Sequence, residues 1–61
     1  MNYYAVKNNF LRGLWNLTMV KLAKKKGIIN QEQFNDIVLS GVQAGIVTIE
    51  EYEEATGETF Q

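Results

Sequence analysis

Between Asn9 and Lys26 the apolar residues Phe10, Leu11, Leu14, Trp15, Met19, Leu22 and Ala23, with Thr18 among them, recur at spacings of three and four. That spacing lines them along one stripe of an α-helix. It predicts a long first helix, capped by Asn8 or Asn9 and running to Lys26, with Lys24, Lys25 and Lys26 at the negative end of its dipole. A second helix is predicted from Gln31 to about Ala44, turning Phe34, Ile37, Val38 and Val42 inward, with Ser40 and Gly41 as the places where it could stop early. A third runs from Ile49 to about Thr56. It sets Ile49, Tyr52 and Ala55 on one side and Glu50, Glu51, Glu53 and Glu54 largely outward, with Gly57 as its stop and Phe60 folding back as an apolar plug. Proline is absent, and neither a long alternating strand nor a hairpin turn signal is present, so the expected class is all-α. The expected architecture is three helices, one long and two shorter, in a single small domain over residues 9–61, with residues 1–8 as an arm whose Tyr3 and Tyr4 dock on the body.

The polar breaks between the helices repeat one another. Gly27 to Ile37 reads GIINQEQFNDI, and Gly45 to Ala55 reads GIVTIEEYEEA, eighteen positions on. In each, a glycine suits the left-handed position just past a helix end, and Ile28 or Ile46 is placed to pack back on the last turn. Asn30 and Thr48 follow as N-caps, with Gln33 and Glu51 three residues later to complete capping boxes. Ile29 and Val47 occupy the staple position, opposite Phe34 and Tyr52. Each shared residue has a local folding role, so the repetition reads as one helix-to-helix connection used twice. Within the second predicted helix, Gly41 costs about 1 kcal/mol relative to alanine, which close approach of a neighbouring helix would offset.

At 61 residues with no cysteine, the chain lies near the size at which a core barely outweighs lost conformational entropy, and no disulfide helps it. Self-association or docking onto a partner is the staple left. The apolar runs are far shorter than the roughly 20 residues that cross a bilayer, and the N-terminus does not read as a secretory signal. A net charge of −1 conceals a division: the six cations all precede Gly27 and the seven anions all follow it. Two such faces can pair within one chain or between copies, or the basic one can meet an anionic partner.

Chemistry is thinly represented. With no histidine, no cysteine and no glycine-rich phosphate loop, the chain lacks the usual nucleophile, base and metal ligands. An enzyme is not expected, and neither is a cofactor, a metal or a small-molecule substrate. The acids of Glu50 to Glu54 diverge on a helix instead of converging on a cation. Lys21 to Lys26 could neutralise phosphates, but the helices placed to read bases carry acids, which makes nucleic acid the lesser expectation. The long first helix offers more apolar surface than two short helices cover. Its expected partner contacts are Phe10, Leu14, Trp15 and Met19 as anchors, with Lys24, Lys25 and Lys26 as a basic rim.

The stretch GIVTIEEYEEATGETF, Gly45 to Phe60, together with the earlier GIINQEQFNDI and a preceding tryptophan, resembles the XkdX family of short phage and prophage proteins over about residues 14–60. Short bacterial helical domains of the SHOCT type share the Gly-Ile-Ile-x-x-Glu-x-Phe part of the pattern. The XkdX resemblance implies a place among tail and baseplate genes and no catalytic residue. It leads to the expectation of a non-enzymatic accessory protein of tail-baseplate assembly, working in the bacterial host cytoplasm and in the tail through contacts with itself or with tail proteins. A small regulatory protein binding nucleic acid, or a nucleic-acid enzyme, through the basic end of the first helix is the alternative. The N-terminal MNYYAVKNNF is longer than in the shorter family members, which leaves open how the first helix is used.

Overall fold

The computed structural model describes residues 1–60, which form four helices: α1 (Tyr3–Leu11), α2 (Leu17–Lys25), α3 (Gln31–Gln43) and α4 (Ile49–Thr56). The all-α expectation holds among the described residues, but the long first helix does not: it is two helices broken at Gly13. The backbone there turns left-handed, φ 79°, and the chain satisfies its orphan carbonyls locally. The Gly13 N–H donates to the Phe10 carbonyl at 3.1 Å, and the Leu14 N–H donates to that of Asn9 at 2.9 Å. Asn16 then caps α2 by accepting from the Met19 N–H at 3.1 Å. Asn8 and Asn9, expected as caps, lie inside α1, whose cap is Asn2, accepting from the Ala5 N–H at 3.0 Å. Residues 3–8, read as part of an arm, are thus helical and contribute the wholly buried Val6 to the core.

Gly13-Leu14-Trp15-Asn16 is therefore a third copy of the connection seen at Gly27-Ile28-Ile29-Asn30 and Gly45-Ile46-Val47-Thr48. At the latter two the same paired bonds close the helix: Gly27 N–H to Lys24 at 3.0 Å and Ile28 N–H to Ala23 at 3.0 Å, then Gly45 N–H to Val42 at 3.0 Å and Ile46 N–H to Gly41 at 2.9 Å. Both expected capping boxes are formed, Asn30 with Gln33 and Thr48 with Glu51. The first copy is harder to see for two reasons. It precedes the second by fourteen positions instead of eighteen, and it has methionine where the other two have a box-forming Gln or Glu.

Helix α3 is the hub. Its buried residues Phe34, Ile37, Val38 and Gly41 stand at i, i+3, i+4 and i+7, a stripe wide enough to serve several neighbours, and α3 packs against each of the other helices. Val6 and Phe10 of α1, Val20 and Ala23 of α2, Tyr52 of α4 and the two connection residues Ile29 and Val47 complete the core. Gly41 fulfils the expectation of close approach. A Cβ there would lie 2.6 Å from Val47 Cγ2 and 2.8 Å from Phe10 Cε2. Phe60 folds back as expected, its ring edge-to-face with Tyr52 at 5.8 Å and 84°.

Candidate contact surface

The expected anchors separate into two groups. Phe10 is not a contact residue: it is 4 % exposed and fills the space over Gly41. The break at Gly13 lets α1 lie against α3 on its own axis, which takes Phe10 off the shared stripe and into the core. Leu14 (63 % exposed) and Met19 (40 %) do face outward, and Trp15 is half-buried against the core. Sequence reasoning missed Leu22, placed on the first helix's apolar stripe but not named as a contact, and Ile28, expected to pack back on the last turn; they are 47 % and 37 % exposed. Ile46 and Ile49, also expected to pack inward, are half-exposed. The signal for the connection residues lay in the repeat itself. Of the two apolar residues after each glycine, the second is the staple and is the one turned inward, leaving the first at the surface.

Of these side chains, Met19, Leu22, Ile28 and Ile46 form a band organised around Trp15. On one side, Trp15, Met19, Leu22, Ala23 and Ile28 line a mainly apolar concavity of about 230 Å³ with Lys26 at its edge. On the other, Trp15, Phe10, Leu17, Ile46 and Val47 line a concavity of about 390 Å³ with Glu51 at its edge. Trp15 lines both. Met19 and Leu22, at i and i+3, share one face of α2 with Lys26 just past its end, while Val20 and Ala23 of the same helix turn to the core.

The lysine rim is also divided. Lys24 is half-buried, its ammonium donating to Gln31 Oε1 at 3.0 Å and lying 4.7 Å above the centre of the Phe34 ring, so it braces α2 on α3. Lys25 and Lys26 are exposed. Among the described residues the divided charges meet in a single ion pair, Lys7 with Asp36 at 3.1 Å, while α2 and α4, where most of them sit, do not pack on each other.

That ion pair belongs to a small network joining α1 to α3. The Tyr3 hydroxyl donates to Asp36, and Lys7 Nζ donates to Asp36 Oδ2 and to the Tyr3 oxygen, the latter at 3.2 Å. The Tyr3 hydrogen bond, then Lys7, holds the Asp36 carboxyl below its ordinary range. Bonding to Asp36 raises both Tyr3 and Lys7. A lowered acid stabilises the fold above its unfolded pKa of about 3.9 and ceases to do so as pH falls through the lower folded value. A raised phenol and a raised amine stabilise below about 10 and lose that contribution as pH climbs through their folded values. Asp36→Asn is therefore expected to destabilise the fold near neutral pH, by under about 1 kcal/mol for so exposed a pair. The gap should close in strong acid and in strong alkali, and a gap that stays constant in melts across that range would refute the network's role.

Among the described residues no three His, Cys, Asp or Glu side chains converge as metal ligands, and no helix is long and apolar enough to cross a membrane. Among the described residues, fold and surface together define a small all-helical domain with an apolar band that has Lys26 at one end and Glu51 at the other. No family model, no curated protein and no solved structure matches the chain.

Proposed function

We propose that this chain is a non-enzymatic structural or assembly protein that works through its apolar band, and that its setting is the tail-baseplate module of a phage or prophage, in the host cytoplasm during assembly and in the tail. The setting rests on the XkdX-like formula at Gly45 to Phe60. The contact role is carried by one observation: Met19, at the third position of α2, is 40 % exposed, where the two later copies of the connection place Gln33 and Glu51 to close a capping box. Helix α2 forgoes half a box, a local folding rule, to present an apolar side chain to solvent. Departures of that kind mark functional surfaces.

The same observation supplies the test. Met19→Glu gives Asn16 a box partner, so the fold should keep or slightly gain stability, by up to about 1 kcal/mol, while a charge lands in the band. Wild-type protein is expected to co-purify with tail and baseplate proteins of the phage that encodes it, and Met19→Glu is expected to lose them with its melting temperature undiminished. Retention of those partners by the variant would sink the proposal.

A second reading is favoured by the exposure of Lys21, Lys25 and Lys26 on α2 and just past its end: nucleic acid, or an enzyme acting on it, docks there. It requires a shift of labelled DNA or RNA that weakens with salt and vanishes when Lys24, Lys25 and Lys26 are replaced by glutamine.

A further inference from the structure

We infer that the partner covering the band is a second copy of this chain, related to the first by a twofold axis passing near Trp15. The inference rests on reading the band as a contact surface, and adds the identity of what covers it.

A twofold interface must be self-complementary: whatever one end of the patch presents, the other end must accept. The band has that property. Trp15 is common to both concavities, Lys26 edges the one and Glu51 the other. Rotation by half a turn about Trp15 lays the Lys26 end of one copy on the Glu51 end of its partner, and does so twice. The apolar parts match as well, since Met19, Leu22 and Ile28 on the basic side would meet the half-exposed Ile46 on the acidic side. Glu51 spends one carboxylate oxygen on the Thr48 N–H, at 2.8 Å, which leaves the second for a lysine.

Within one copy these charges do not meet, because α2 and α4 do not pack on each other. Sequence segregation of the charges therefore has no intramolecular use beyond Lys7 and Asp36 among the described residues. Area favours the doubled contact too. A nine-residue helix such as α2 is only about 13 Å long, whereas a stable pairing buries about 800 Å² per partner, about a fifth of this chain's 4071 Å². One helix face does not reach that value. The whole band, used reciprocally, is the larger surface available.

The experiment is sedimentation of the purified full chain across a dilution series at low and high salt. Wild type is expected to dimerise, with weaker dimerisation in high salt. Lys26→Gln and Glu51→Gln, the latter keeping the capping acceptor as Gln33 does in α3, should each weaken the dimer by about three- to tenfold. The double variant should be no weaker than either single one, because the two residues are partners. Met19→Glu should be monomeric while retaining its helical circular dichroism.

A wild type that stays monomeric at every concentration overturns the pairing, and so does a dimer indifferent to Met19→Glu or one in which the two glutamine variants have no effect or add independently. Co-purification with tail proteins is a separate readout. A monomer that still brings down tail proteins removes the pairing and keeps the proposed function; a dimer that brings down none does the reverse.

Discussion

Phe10→Ala is expected to destabilise the domain by about 3–5 kcal/mol, which is comparable with the whole stability a domain of this size commands. Phe10 is 4 % exposed, and its ring shares with Val47 the space that a glycine at position 41 leaves open on the hub helix. Truncation would remove that ring from the junction of α1 with α3, and with it the main fixed point of α1 besides Val6. Urea titration followed by circular dichroism should show a large fraction of the variant unfolded without denaturant. Loss of less than about 0.5 kcal/mol, the range typical of surface positions, would return Phe10 to the surface and undo the packing described for α1.

Gly41→Ala is the second large effect, and its sign is the informative part. In an isolated helix the change would stabilise by about 1 kcal/mol. Here the new methyl would meet Val47 Cγ2 at 2.6 Å and Phe10 Cε2 at 2.8 Å, separations that force a branched side chain and an aromatic ring to shift. Overpacking of that kind costs about 1–3 kcal/mol, so the net expectation is a loss of up to about 2 kcal/mol in spite of the better helix former. In a Val47→Ala background the nearest clashing atom is gone, and the same substitution should cost less, with a coupling of about 0.5 kcal/mol or more. If Gly41→Ala raises the melting temperature, the close approach of α1 and the α3–α4 connection to that glycine is wrong.

These two residues also show where sequence reasoning reaches its limit. Periodicity placed Phe10 on one continuous stripe with Leu14, Trp15 and Met19, and from that stripe it was read as an interface residue. The stripe is real in each of α1 and α2, but periodicity does not register a break when the residues before and after it both continue a spacing of three or four. Gly13 carries the information, in a Gly-apolar-apolar-Asn formula written elsewhere in the same chain. Its missing box partner and its shorter spacing hid it. The apolar band was accordingly legible in part: Trp15, Met19 and Lys26 line it, Leu14 and Lys25 are exposed but line neither of its concavities, Lys24 is drawn onto Phe34, and Leu22 and Ile28 join it where neither was expected.

What the sequence by itself determined is the local architecture of the later helices. The caps at Asn30 and Thr48, the left-handed glycines that end the helices before them, the limits of α3 and α4 and the return of Phe60 to Tyr52 all follow from interactions spanning a few residues, whose donors and acceptors lie in the same short window of chain. Only the tertiary structure decided that α1 and α2 are separate, that Phe10 serves Gly41 thirty-one positions away, and that the basic and acidic ends flank one tryptophan without touching each other. Those facts depend on how helices cross in space, and that is fixed by packing over the α3 stripe, where each side chain's neighbour comes from a distant part of the chain.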